Sequence, residues 1–364
     1  MLPELLLLVA DRLSLVDLSN FRFTCYWVCN VLTPHFQKLC LKDIGQLTTL
    51  QWAAIRGHAK LIKLAILKGA EIDVPLKGPL TLAALCVRGK LYKNIHRHPC
   101  NLAHYHSSYY YDEYATKRTP PFLAACCGHA DAIEVLLDHG ASMWCLGRVM
   151  TATHVAASQG NVACTEAFVR PGFDINATGF EESTILHHAI TGGVEMMRYI
   201  LQLKGGRNLI NARTSKGLTP LHSLADINCT GQRLKMELLL QYGADMYMRD
   251  NRGHTVAHYF VLLGNSECLQ FLIDAGFQLD TRGEGGSTIL HTAIYSGEKI
   301  VKYILGIEGG EKLIEIKDDY LLTALDYAGE DGDLSKIKSM LEDRQAHRRT
   351  RKTKWKGLRG KITS

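Results

Sequence analysis

From residue 119 onward the apolar positions of the chain fall into short paired stripes punctuated by glycine. The segment TPPFLAACCGHADAIEVLLDHGAS, Thr119 to Ser142, shows the unit. Thr119 suits a helix N-cap, and Pro120 suits the first helical position, where no amide donor is needed. The small pair Ala124-Ala125 predicts a short helix that packs closely on its neighbours. Gly128 ends it in the left-handed conformation that other residues avoid. A second helix carries Ile133, Leu136 and Leu137 at i, i+3 and i+4, and Gly140 closes it. Each helix has one apolar stripe that only an adjacent unit can cover, so such units occur in arrays.

The polar positions repeat with the same beat. Threonine returns as Thr119, Thr151, Thr184, Thr219, Thr255, Thr288 and Thr323, at spacings of 32, 33, 35, 36, 33 and 35 residues. Three residues after five of these stands His154, His187, His222, His258 or His291, with Phe122 and Asp326 in their place at the two ends. A period near 33 predicts stacked helix-turn-helix units whose work is gripping another protein. An earlier copy, Trp52-Ala53-Ala54-Ile55-Arg56-Gly57-His58, ends near Asp73. A unit near Gly78 shows only its first helix, Leu80 to Val87, and its 41 residues to Thr119 predict an extended loop over about 88–118. Phe260-Val261 replaces the small pair, which predicts neighbouring helices pushed apart or tilted. Asp226 to Arg233 lacks the usual glycine ending, which predicts an irregular turn.

Residues 2–43 follow another pattern. Leu5, Leu8 and Val9 share a helix face continued by Leu13, a break at Ser14 to Asp17 leads to Leu18 and Phe21, and Val28, Val31 and Leu32 form a third stretch before Thr33-Pro34. Three short amphipathic helices in so few residues bury little surface by themselves and call for a partner.

The repeated units resemble the ankyrin repeat, whose hallmark is Thr-Pro-Leu-His, a small pair, then Gly-His or Gly-Asn. Thr219-Pro220-Leu221-His222 matches in full, and Thr184-Ile185-Leu186-His187 and Thr288-Ile289-Leu290-His291 lack only the proline. Gly57-His58, Gly128-His129, Gly160-Asn161 and Gly264-Asn265 supply the helix-ending pair. The resemblance covers roughly residues 46–342 and implies histidines that hydrogen-bond between neighbouring units. The N-terminal segment resembles the F-box: Leu2-Pro3, a Glu-Leu-Leu helix, Asp17-Leu18, Thr24-Cys25 and a closing hydrophobic helix, although Tyr26-Trp27 stands where many members place basic residues. That resemblance implies docking on a Skp-type adaptor, which joins a cullin scaffold and a RING subunit into a ubiquitin ligase, through Leu2, Pro3, Leu5, Val9, Leu13 and Leu18. The plainer alternative is a helical cap on the first repeat.

Composition refines this picture at three points. The net charge of +6 resides in the tail: residues 344–364 hold nine Lys/Arg and no acid, leaving 33 basic against 36 acidic side chains elsewhere. The near-neutral body argues against nucleic acid, and the tail reads as a basic, disordered segment with a possible role as a nuclear address. Eleven cysteines without a Cys-x-x-Cys pair read as reduced thiols of a cytosolic or nuclear protein. No run of 18 apolar residues occurs, and Leu5 to Val9 is too short and too acidic in its flanks for a span or secretory signal.

Candidate chemistry is sparse. His96, His98, Cys100, His104 and His106 form the densest ligand-capable cluster, but their spacing does not fit the usual zinc fingers, and a polar loop is the reading, with Tyr109, Tyr110, Tyr111 and Tyr114 packing it on the array. The repeat histidines are spaced along the stack instead of converging, the phosphate-loop, zinc-protease and nucleophile-elbow motifs are absent, and Gly283-Glu284-Gly285-Gly286 reads as a flexible finger. The expectation is therefore an all-α, non-enzymatic protein without cofactor or metal: a three-helix F-box at 1–43, an ankyrin solenoid of about eight units with finger loops at 46–342, and a basic tail at 343–364. Its unknown protein client would meet Ser158, Gln159, Thr191, Asp226, Tyr259, Leu262, Tyr295 and Glu330, with fingers such as Glu181-Glu182 and Arg249 to Arg252.

Overall fold

In a computed structural model of the chain, residues 48–67, 69–73, 119–144, 151–226, 231–329 and 334–362 are described. The F-box-like segment, the helix expected at Leu80 to Val87, the histidine-tyrosine loop and the turn over 227–230 lie outside them. The described residues hold helices and no strand, with isolated bridges at Trp144–Thr151 and Lys317–Thr323. They divide into two compact bodies at Phe180–Glu181.

Among the described residues the first body contains three helix pairs: α1 (Thr49–Arg56) with α2 (Ala59–Leu67), α3 (Pro120–Cys127) with α4 (Ala130–Asp138), and α5 (Ala152–Ser158) with α6 (Val162–Val169). Each pair begins as its local chemistry dictates. Thr48 and Gln51 form a reciprocal capping box before α1, Thr151 accepts from the amide of His154, and Gly57 and Gly128 end α1 and α3 at φ of 70° and 80°. Ala53-Ala54, Ala124-Ala125 and Ala156-Ala157 are buried, and with no side chain beyond Cβ they let successive inner helices approach closely.

The order of stacking departs from expectation. α1 packs directly on α3 and α2 on α4. His129 Nε2 lies 3.0 Å from the Ile55 carbonyl, and the Ser142 amide donates to Asp73 at 3.0 Å. A Cβ at Gly57 would stand 2.5 Å from the His129 ring. The units beginning at Thr48 and Thr119 thus pack directly on one another, and the unit expected near Gly78 lies outside the described residues.

The second body continues the pattern with inner helices α7 (Ile185–Gly192), α9 (Pro220–Asp226), α11 (Val256–Leu262), α13 (Ile289–Ile294) and α15 (Ala324–Tyr327). Outer helices α8 (Val194–Gln202), α10 (Gln232–Gln241), α12 (Ser266–Asp274) and α14 (Glu298–Gly306) return beside them, and α16 (Ser335–Ile362) follows α15. The long spacings after Thr184 and Thr288 have a common cause. Short 3-10 turns, Gly206–Leu209 and Gly310–Glu315, follow α8 and α14. There a Cβ at Gly206 or Gly310 would stand 1.9 Å from the carbonyl oxygen of Ile200 or Ile304.

Phe260 and Val261, expected to push neighbouring helices apart or tilt them, are accommodated within the stack. Both are fully buried, and α11 still packs on α9 and α13. The corresponding position of α13 is Ala293, and a large side chain in register with a small one preserves packing density. The tail also differs from the disordered segment expected: α16 is a single helix through Ile362. Ile337 and Leu341 are buried, Arg344 meets Glu311 at 3.0 Å and Arg348 meets Glu315 at 3.2 Å. A helix anchored by apolar contacts and ion pairs at its start propagates through a run of good helix formers. Among the described residues no helix is long and apolar enough to cross a membrane.

Candidate functional site

The repeated histidine is consumed by the scaffold. In His187, His222, His258 and His291, Nδ1 lies 2.8–2.9 Å from the hydroxyl of Thr184, Thr219, Thr255 or Thr288. The amide of the same threonine donates to that nitrogen at 3.1–3.3 Å. Nδ1 is therefore an acceptor, and the proton sits on Nε2. That N–H donates to the carbonyl of Leu218, His254, Ser287 or Leu322 in the following unit, at 3.1, 3.2, 3.4 and 3.3 Å. Burial pushes His187 and His258 down to about 4, and lowers His222 and His291. These rings are neutral ties between units, as the resemblance implies.

The fingers preceding each threonine are held from within and from the next unit. Asp250 Oδ1 accepts from the amides of Arg252 and His254 at 2.9 and 2.8 Å, and its Oδ2 accepts from the Tyr259 hydroxyl at 2.6 Å. Asp318 repeats the arrangement with the amides of Tyr320 and Leu322, both at 2.9 Å, and the Tyr327 hydroxyl at 2.6 Å. The Asp318 bond pushes the Tyr327 phenol up to about 12. Burial works to raise the Asp318 carboxyl, but the Tyr327 hydroxyl and the two amides outweigh it and hold it below its ordinary value. Between fingers, Lys216 meets Glu181 at 2.7 Å, Asn251 donates to the Ser215 carbonyl at 2.8 Å, and Arg282 donates to the carbonyls of Gly286 and Lys317.

Two residues before threonine the finger turns through a left-handed residue. It is Gly217 (φ 78°), Gly253 (φ 92°) and Gly286 (φ 72°) in three fingers, but Glu182 (φ 59°) before Thr184 and Leu321 (φ 63°) in the last. The glycines at 283–286 are not there for flexibility, as expected from sequence. A Cβ on Gly283 would stand 2.6 Å from the His258 ring, and one on Gly286 would stand 2.2 Å from the Asp319 carboxylate.

The residues expected to meet a client divide sharply. Ser158 and Thr191 are half-buried and donate their hydroxyls to the carbonyls of Val155 and His188 at 2.8 and 2.7 Å, and Gln159 caps α5. Tyr259 is committed to Asp250 and lies edge-on to His222 at 5.8 Å. Leu262 and Tyr295 are open to solvent at 45% and 69% exposure. Asp226 ends α9 with its side chain outside the described set, and Glu330, Leu2, Pro3, Leu5, Val9, Leu13 and Leu18 lie outside the described residues. Tyr320 and Leu321, exposed at 73% and 71%, are the residues that sequence reasoning missed. The signal was present: Leu321 occupies the phase held by Gly217, Gly253 and Gly286.

No chemistry competes with this surface among the described residues. Cys126, Cys127, Cys164 and Cys268 form no disulfide, and burial pushes Cys127 and Cys164 up to about 11 and about 12, which leaves those two unreactive. No group of three or more His, Cys, Asp or Glu among the described residues is placed to hold a metal ion.

The family described as ankyrin repeats (3 copies) matches residues 93–179, 153–230 and 227–318, more than half of the chain. The transient receptor potential cation channel subfamily A member 1 homolog of Caenorhabditis elegans is 29% identical over 197 residues, covering 54% of this chain and 16% of that protein. The E3 ubiquitin-protein ligase KEG of Arabidopsis thaliana is 24% identical over 247 residues, 55% of this chain and 15% of that protein. The ARF GTPase-activating protein GIT1 of Homo sapiens is 34% identical over 110 residues, 30% of this chain and 14% of that protein. The chain thus spans less than a fifth of the length of these relatives. Among solved structures, the ankyrin repeat domain of Bcl-3 is similar in fold, with a TM-score of 0.50 and 21% identity over 73% of this chain and 100% of that domain.

Proposed function

Because this chain belongs to the ankyrin-repeat family, whose fold is a protein–protein interaction module, we propose that it is the non-catalytic substrate receptor of a cullin-based ubiquitin ligase. In this reading residues 2–43 dock on a Skp-type adaptor through Leu2, Pro3, Leu5, Val9, Leu13 and Leu18, and the repeats hold the protein client. The observation that carries the client-holding half is the division of labour within the array. The buried polar groups of each turn are spent on neighbouring units, whereas Leu262, Tyr295, Tyr320 and Leu321 face solvent on inner helices and fingers. Exposed aromatic and aliphatic side chains on a rigid support are what a protein partner can bury. The adaptor half is supported by the leucine-proline helix pattern ahead of the repeats. Catalysis would be positional: the receptor raises the effective concentration of the client near the ligase.

Co-expression with a Skp-type adaptor tests this reading, comparing wild type with the Leu5→Asp, Val9→Asp double variant. A stable complex that the variant loses supports the F-box. A folded wild type that forms no complex leaves an ankyrin scaffold with a helical cap. A second reading, a nuclear regulator, is motivated by the nine cations of residues 344–364. Deleting them and imaging the protein decides it, and an unchanged distribution removes the tail's targeting role.

A further inference from the structure

We propose that the outer part of α16, residues 351–362, lays one face against an acidic amphipathic helix of another protein, as one helix of a coiled coil. The inference stands apart from the ligase reading and from the nuclear address.

The inner part of α16 shows what this face does. Ile337, Leu341, Arg344 and Arg348 follow one another at spacings of 4, 3 and 4 residues, the alternation that keeps one side of a helix against a neighbour. Ile337 and Leu341 are buried, and Arg344 and Arg348 meet Glu311 and Glu315 at 3.0 and 3.2 Å. Arg348 also donates to the Glu311 carbonyl at 2.9 Å. The last part of the array thus receives the face with apolar contacts and with two carboxylates four residues apart.

The same alternation runs on without a break. Arg351, Trp355, Leu358 and Ile362 hold the next four positions, at spacings of 3, 4, 3 and 4 residues counted from Arg348. An arginine and three apolar residues repeat the chemistry of the inner part. One repeat is too short to meet both. α8, α10, α12 and α14 have 9 or 10 residues and are about 15 Å long, whereas the 28 residues of α16 extend about 42 Å.

Charge selects the partner. The positions flanking the outer stripe, one after Arg351 and Leu358 and one before Trp355 and Ile362, are Lys352, Arg359, Lys354 and Lys361. In a two-helix contact these are the positions that meet the partner's charges and decide which helices pair. All four are cationic, and residues 344–364 hold no acid. A second copy is therefore repelled, and a helix flanked by Glu or Asp is favoured. Arg351 within the stripe argues for protein over lipid. The inner arginines of the same register are met by carboxylates, and a cation on the apolar face of a helix is costly in hydrocarbon.

The test uses the full-length protein and a synthetic helix about three heptads long, with leucine at the contact positions and glutamate at the flanking ones. This peptide is expected to bind, and its twin with lysine at the flanks is not. The decisive variant is Trp355→Ala with Leu358→Ala, which keeps every charge of the tail. Affinity for the acidic peptide should fall about tenfold or more in it, while Thr353→Ala, off the stripe, binds as wild type does. The double variant should melt with the wild type, since Ile337 and Leu341 anchor α16 to the array. Equal binding to the double variant would reduce the contact to bulk charge and overturn the proposal, as would capture of the lysine-flanked peptide. Self-association that the double variant loses would assign the face to a second copy, and retention on phosphatidylserine vesicles that it loses would assign the face to a membrane surface; either overturns the proposal.

Discussion

At Thr288 the turn is closed by His291, and at Thr323 by Asp326; the difference lies in what stands next door. His291 accepts the threonine amide on one ring nitrogen and donates the other forward to the Leu322 carbonyl. Asp326 accepts the Thr323 amide and hydroxyl, each at 2.7 Å, and has no proton to pass on. Beyond Tyr327 the next described element is α16, with no further finger to receive one. Inside the stack, Phe122 replaces the histidine after Thr119, and the buried Thr119 hydroxyl has no hydrogen-bond partner among the described residues. A side chain that both accepts and donates ties one unit to the next in four of the turns, and a pure acceptor suffices where only a helix start needs closing.

The largest expected break in this comparison is acid. In His187 and His258 the folded value is about 4, against an ordinary 6.5, so as pH falls the unfolded chain takes up the proton first. Their contribution is complete above 6.5 and is lost as pH falls towards 4, at up to about 1.4 kcal/mol per pH unit for each ring. Asp326 is held below its ordinary value by the Thr323 amide and hydroxyl, so its contribution survives this window and is lost only as pH falls through the depressed value. Hydrogen exchange followed from pH 7 to 4 should show the interior turns opening before the Thr323 turn; simultaneous opening would refute the distinction. Next in size, His187→Ala leaves the Leu218 carbonyl and the Thr184 amide without their partner in a buried turn, and should cost about 3 kcal/mol in urea unfolding. Asp326→Ala, which removes only a cap, should cost about 1 kcal/mol by the same measurement. Smallest of all, Leu321→Gly should gain roughly 0.5 kcal/mol, as relief of left-handed strain outweighs the added freedom of the unfolded chain. A loss of stability there would mean that the leucine packs within the fold.

Much of this architecture was legible because it is local. Threonine caps, histidine ties and left-handed glycines each involve a few consecutive residues, and their phase marks every described inner helix from Thr119 onward. What eluded the sequence is what depends on distant partners. Nothing near Gly78 reveals that Ile55 meets His129, and nothing in the tail's charge reveals that Arg344 and Arg348 have carboxylates waiting at Glu311 and Glu315. The expected client positions were chosen by phase alone, so they mixed Leu262 and Tyr295, which are exposed, with Tyr259, which Asp250 holds. Leu321 was passed over because the rule for that position concerns the backbone, and the departure from it shows only when the fingers are laid side by side.

The direct contact between the units at Thr48 and Thr119 works as a zip does, joining two hems without regard to the cloth between them. Closing a longer connection costs only about 0.6 kcal/mol per doubling of its length, so this seam depends on its own contacts, His129 on the Ile55 carbonyl and Asp73 on the Ser142 amide, far more than on the length of chain that separates them.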